Sequence, residues 1–247
     1  MPQARSSILC AVGLGVMSAL LGAQTTDSVT GPGLLSDGDI RRILAERVDA
    51  QGKGVGIIVG VIEPRGRRVI SYGQLSGRDP RPLHGDTVFE IGSVTKVFTA
   101  LLLSDMVQRR EVALDDPIEK YLPMGTRLPG RNGQPITLLD VATHTSGLPL
   151  MPDDLPWQLN DQLAKARYSA TQLYEFLARY ELPQPSGAKW DYSNVGYALL
   201  GQALPARAGM DYETLLRTRV IAPLELKNTG ITLDPKRKAE LAIGHDA

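Results

Sequence analysis

The feature that most constrains this chain is Ser93-Val94-Thr95-Lys96 at the head of an apolar run that includes Val97, Phe98, Leu101, Leu102 and Met106. Apolar residues at three- and four-residue spacing form one face of a helix, and that face has to be buried. A helix is predicted from Ser93 onward, with Arg109 and Arg110 favourable in its last turn. Residues three apart stand one turn apart on one helical face. Docking this helix therefore also sets a hydroxyl beside an amine, which is what a nucleophilic serine needs. The 13 serines and 8 lysines would give about 0.4 such pairs by chance, so the spacing alone is only a hypothesis. A second pair, Ser186 and Lys189, follows Pro183 and Pro185, contains Gly187 and reads as a loop. The competing reading of Ser93 is a plain helix cap, with Lys96 solvated in the first turn.

Tyr192-Ser193-Asn194 is the second candidate. Eight tyrosines and four asparagines give about 0.13 Tyr-x-Asn triplets by chance. The triplet lies between the Pro185-Ser186-Gly187 loop and a helical pattern that begins near Val195. Loop tips held by rigid elements are common positions for catalytic groups. The alternative is a half-buried tyrosine followed by Ser193 or Asn194 as an ordinary N-cap.

The two motifs together resemble the serine β-lactamase and penicillin-binding-protein superfamily. The nearest likeness is to its class C branch and to related D-alanyl carboxypeptidases and esterases. Other stretches carry the same resemblance: Phe89-Glu90-Ile91-Gly92, Leu114-Asp115-Asp116-Pro117, His144-Thr145-Ser146-Gly147-Leu148-Pro149, and Tyr192 to Tyr197 running into Leu199-Leu200-Gly201. It covers roughly residues 36 to 233. It implies a serine hydrolase acting on β-lactams, D-alanyl peptides or small esters, with no cofactor and no metal. Ser93 would attack a carbonyl, form an acyl-enzyme and be released by water or an amine.

A serine hydroxyl needs a nearby base, and a lysine ammonium serves only when burial or neighbouring charge lowers its pKa. Lys96, one turn inside an apolar helix, is expected to be desolvated. Tyr192 would share the proton, as phenolate or as relay to the leaving group. The base is left unassigned between the two, because coupled groups titrate as a unit. Asn194 would bond the substrate amide or orient Lys96. The Ser93 backbone N–H, at a helix start, would donate to the developing oxyanion.

The resemblance also implies a Lys-Thr-Gly strand, or a His-x-Gly variant, that supplies a second oxyanion donor. No such strand is recognised up to Ala247. Lys227-Asn228-Thr229-Gly230 follows Ala222 to Leu226 and reads as a turn after a helix. Losing one oxyanion donor can cost about 2.7–4 kcal/mol in the transition state. The chain as given is therefore expected to be a fragment, or a weakly active and poorly stable product of a shortened gene. The alternative function is a non-catalytic ligand-binding or assembly module on the same scaffold.

Residues 1–23 read as a signal peptide, with Arg5, an apolar Ile8–Gly22 stretch and cleavage after Ala23. A periplasmic or secreted protein is expected, with no stable membrane span after cleavage. Cys10, the single cysteine, lies in this segment, so the mature chain would have neither disulfides nor thiol chemistry. Residues 24–35 form a linker with Gly31-Pro32-Gly33, and residues 36–247 form the partial hydrolase domain. The partner expected is a small-molecule or peptide substrate. Nucleic acid is disfavoured by a formal net charge of zero, an aromatic share of 5% and the lack of a basic block.

The fold class expected is α+β: a β-lactamase/transpeptidase-like antiparallel sheet flanked by helices, plus a helical region, with the sheet incomplete. Helices are predicted over Ser36–Ala50, Ile136–Thr143, Ala170–Arg179, Val195–Ala208 and Tyr212–Val220. Strands are predicted over Gly54–Ile62, Val69–Gly73 and Thr87–Ile91, the first two as a hairpin turning at Arg65-Gly66-Arg67. His144 is read as structural, just before Gly147 as a left-handed helix cap. His84 and His245 have no metal-ligand spacing. Asp115-Asp116-Pro117 reads as a turn and N-cap. Trp190 is favoured over Trp157 for the rim of a site, and the Leu150–Lys165 loop for specificity.

Overall fold

The computed structural model describes residues 35–64, 66–155 and 168–244. The expected signal peptide, nearly all of the linker, Arg65, Trp157, His245 and most of the Leu150–Lys165 loop lie outside the described residues.

Helix α1 (Asp37–Ala45) starts at Ser36, whose hydroxyl accepts from the Asp39 N–H, and widens into a π-type turn over Glu46–Ala50. The acidic first turn, with Asp37 and Asp39, complements the partial positive charge of a helix start. Strands β1 (Gly56–Glu63) and β2 (Gly66–Ser76) form the expected antiparallel hairpin, in register from Gly56 opposite Gly73 to Glu63 opposite Gly66. Gly73 has φ +88, and a Cβ there would sit 2.3 Å from the Val55 carbonyl oxygen, so the close pairing at this end requires glycine. Ile40 and Leu44 of α1 pack on Ile70 of β2, with Ile57, Val59 and Tyr72 around them.

A third strand, β3 (Asp79–Pro82), pairs antiparallel with β2 beyond an irregularity at Gln74/Ser76. It is absent from the sequence reading for a physical reason. Its sequence is Asp-Pro-Arg-Pro, and proline cannot donate to a ladder, so such a segment is a strand only at an edge. β3 is an edge of the order β1-β2-β3. The strand expected over Thr87–Ile91 is not formed. One parallel bridge joins Val88 to Leu241, with Val88 N donating to Glu240 O and Ala242 N to Val88 O.

The helices build a separate, larger core. A single 3₁₀ turn (Gly92–Val94) leads into α2 (Thr95–Gln108). Only part of the expected stripe is buried: Leu102, Leu103 and Met106 enter the core, whereas Val97 and Leu101 are exposed. Helix α3 (Leu138–Ala142) is shorter than expected because Thr137 and Asp140 form a capping box at its start. Its end also differs: the left-handed residue after it is His144 (φ 62), and Gly147 (φ 74) turns the loop that follows. Helix α4 (Ala170–Arg179) matches its expected bounds, capped by Ser169 and Gln172. Helix α5 (Asn194–Ala208) ends at left-handed Gly209. Helix α6 (Tyr212–Leu216) widens into a π-type turn over Arg217–Ile221. Helix α7 (Pro235–Ala239) starts at Asp234. It is unmarked in the sequence because Pro-Lys-Arg-Lys-Ala buries nothing and so shows no apolar periodicity.

Leu199 and Leu200 of α5 are wholly buried against this core, and Leu204 almost so. Each contributes about 1.5–3 kcal/mol relative to exposure. The α5 body is therefore a firm mount for the residues at its start. No helix among the described residues is long and apolar enough to cross a membrane.

Candidate active site

Gly92 takes φ +50 immediately before Ser93. That left-handed step suits glycine and turns the chain into the helical entry. Ser93 sits in the 3₁₀ turn with its side chain exposed, and Lys96 stands one turn later, half-buried. Lys96 Nζ donates to Ser93 Oγ at 3.2 Å. The hydroxyl–amine pair expected from the spacing is formed. Lys96 is less enclosed than the apolar run suggested, because the α2 face carrying Val94 and Val97 is exposed.

The second motif comes in from the start of α5. Ser193 is completely buried. Its hydroxyl accepts from Gly196 N–H at 2.8 Å as the α5 cap and donates to Pro149 O at 2.8 Å. Asn194 N donates to Leu150 O at 3.1 Å. These bonds tie the approach to α5 to the loop after α3. From that footing the Tyr192 hydroxyl reaches Ser93 Oγ at 2.7 Å. Lys96 Nζ also donates to Asn194 Oδ1 at 2.6 Å, and Asn194 Nδ2 donates to Met151 Sδ at 3.3 Å. The structure thus brings together Ser93, Lys96, Tyr192 and Asn194. Of the two roles expected for Asn194, its carbonyl oxygen is engaged in orienting Lys96.

The Lys96 ammonium lies 4.8 Å from the Tyr192 ring centroid and 5.6 Å from that of Tyr197. A cation facing aromatic rings is held by their quadrupoles. Lys96 first, and the hydrogen bond with Ser93 second, hold the Tyr192 phenol below its ordinary value. A phenol so placed gives up its proton more readily.

His144, read from the sequence as structural, packs against this group. Its ring centroid lies 4.5 Å from that of Tyr192 and 5.1 Å from that of Tyr197. Its Nδ1 accepts from the Ser193 N–H at 3.1 Å. Met151 lies in the Leu150–Lys165 loop favoured for specificity but was not singled out as a residue. The His144 to Pro149 run was visible as part of the resemblance, but nothing local marked its ring as facing Tyr192. Trp190, 61% exposed and edge-on to His144 at 6.2 Å, stands at the rim as expected.

The remaining candidates stay apart. Ser186 is in the loop its prolines predict, with its hydroxyl buried and unpartnered among the described residues. Lys227–Gly230 forms a turn, closed by Thr229 N donating to Leu226 O, and not a strand. Asp116 is held down at about 2 by Lys120, Tyr121 and the Ala113 N–H, as a turn residue. No cluster of three or more His, Cys, Asp or Glu that could hold a metal occurs among the described residues.

With two helix starts converging on one exposed serine, the arrangement is suited to acyl transfer. The family model for beta-lactamases matches residues 40–247. The chain belongs to the beta-lactamase family. It is 31% identical over 239 residues to the D-alanyl-D-alanine-carboxypeptidase/endopeptidase AmpH of Escherichia coli (strain K12), a match over 96% of this chain and 59% of that protein. It is 29% identical over 229 residues to a beta-lactamase of the same organism, covering 93% of this chain and 57% of the relative. Among solved structures, a beta-lactamase/D-alanine carboxypeptidase from Yersinia pestis, complexed with citrate, superposes with a TM-score of 0.74 at 31% identity, over 84% of this chain and 58% of that one. A class C beta lactamase from Rhodobacter sphaeroides gives 0.69 at 29%, over 84% and 55%. The chain thus spans less than two thirds of the length of these family members. The family and the α+β fold agree with the sequence reading.

Proposed function

We propose that this protein is a serine hydrolase that forms an acyl-enzyme on Ser93 with a β-lactam, a D-alanyl peptide or a small ester. The observation that carries the reading is the convergence of Tyr192 Oη at 2.7 Å and Lys96 Nζ at 3.2 Å on one exposed Ser93 hydroxyl. Two groups able to take or relay a proton meet the nucleophile directly. Ser93 Oγ attacks the carbonyl carbon as its proton passes into the Tyr192–Lys96 pair. The Ser93 backbone N–H, in the opening helical turn, donates to the oxyanion. Collapse of the tetrahedral species expels the leaving group, which takes up the proton. Water then attacks the acyl carbon with the same pair as base, the bond to Ser93 Oγ breaks, and that oxygen takes back the proton. The names of the relatives support lactam and D-alanyl peptide as substrate classes. The apolar Ile8–Gly22 stretch after Arg5 supports export to the periplasm or beyond.

The test is intact-protein mass after exposure to a penicillin or an activated ester. Wild type is expected to gain one acyl group, and Ser93→Ala none. Equal labelling of both proteins would end the proposal.

A further inference from the structure

We propose that His144 is a positioning residue for Tyr192, acting as the neutral imidazole with its proton on Nε2. The inference rests on the acyl-transfer reading above, in which Tyr192 handles the Ser93 proton. The geometry supports it at three points. The His144 carbonyl accepts from the N–H of Asp191, the residue before Tyr192, at 2.7 Å. The His144 Nδ1 accepts from the Ser193 N–H at 3.1 Å, on the peptide that follows. The imidazole lies against the Tyr192 ring, with centroids 4.5 Å apart and planes 34° apart. One residue therefore holds the backbone on both sides of Tyr192 and the face of its ring.

The tautomer follows from chemistry alone. A backbone N–H can only donate, so Nδ1 must present its lone pair, and in the neutral ring the proton is then on Nε2. The backbone of His144 is left-handed (φ 62), a conformation uncommon for residues other than glycine. That conformation ends α3, with the Thr145 N–H donating to the Asp140 carbonyl at 2.8 Å, and both the carbonyl and the ring of His144 are engaged from it.

Protonation at Nδ1 turns the acceptor into a donor facing a donor. The bond to Ser193 then breaks, and the peptide joining Tyr192 to Asn194 is released. The titratable groups around the ring are Lys96 from α2, Tyr197 from α5, and Asp191 and Tyr192 from the segment before α5. Burial first and the Lys96 charge second push the imidazole below its usual value. The brace is therefore intact at neutral pH and is lost as pH falls below the ordinary histidine range.

Two variants and one spectrum test this. Asparagine tolerates the left-handed conformation and offers Oδ1 as acceptor but does not titrate. Single-turnover acylation by a chromogenic ester is followed between about pH 5 and 8. Wild type is expected to lose rate below about pH 6.5. His144→Asn is expected to keep its pH 7 rate within about tenfold and to lack that acid limb. His144→Phe, which keeps a ring without an acceptor, is expected to lose about a hundredfold in kcat with KM little changed. The same acid limb in His144→Asn overturns the proposal. Nitrogen NMR on histidine-labelled full chain needs no turnover: it should show a non-protonated Nδ1 at pH 7, with the Ser193 amide shifting as it titrates. A protonated Nδ1 at pH 7, or a Ser193 amide that does not follow the titration, also overturns it. Failure to acylate Ser93 would sink the hydrolase reading, and the spectrum would still decide whether His144 holds Tyr192 as described.

Discussion

At the scale of single residues, Lys96 acts on each of its neighbours in the site. Its ammonium faces the Tyr192 and Tyr197 rings, donates to Ser93 and Asn194, and is the first cause holding Tyr192 below its ordinary value. Removing that charge should return the phenol toward the value of an ordinary tyrosine. A tyrosinate absorbance titration of wild type is expected to show one group ionising below about pH 10, absent from Tyr192→Phe and moved upward in Lys96→Met. A Lys96→Met titration superimposable on wild type would contradict this account. Ser93 and Lys96 were legible in the sequence because their relation is local, one turn of one helix. The ring of His144 was not, because its partners Asp191, Tyr192 and Ser193 lie far along the chain and meet it only through tertiary packing.

At the scale of elements, α5 acts through its first turn. Ser193 is buried, caps that turn and holds the Pro149 carbonyl. Ser193→Ala removes the cap, at about 1–2 kcal/mol. It also leaves the half-buried Pro149 carbonyl without its donor, at no more than about 1–3 kcal/mol. A thermal melt is expected to show a clear fall in Tm. Acylation of Ser93 should slow as well, since Tyr192 and Asn194 flank the altered residue. An unchanged Tm would mean the cap is dispensable. Two helix starts were readable from the sequence: α4 was expected from Ala170, where the structure shows Ser169 and Gln172 as its caps, and Ser193 was one of the two caps considered for α5. Strand β3 and helix α7 were not readable. Both are short and polar, and what defines them is contact with β2 or a single cap, not a repeating apolar pattern.

At the scale of the whole molecule, the described residues form two separate hydrophobic clusters. One joins α1 to the hairpin through Ile40, Leu44 and Ile70. The other gathers α2, α4, α5 and α6 around residues such as Met106, Phe176 and Leu199. A small cluster opens at lower free energy than a large one. Native-state hydrogen exchange is expected to show β1 and β2 amides exchanging well before those in the middles of α2 and α5. Uniform protection across both would contradict it. The α+β class and the hairpin were legible, because alternation and glycine punctuation are local signals. The division of the core was not, since it depends on which faces of the elements meet.

The bond between the Tyr192 hydroxyl and Ser93 closes a span of 99 positions in the chain. Contacts of such separation need much of the intervening structure in place before they form. Until then Ser93 is an ordinary alcohol, with Tyr192 far from it. The pairing that sets this hydroxyl apart is thus a product of folding itself. In an unfolded chain Ser93 is one of thirteen serine alcohols, with nothing beside it to distinguish it from the rest.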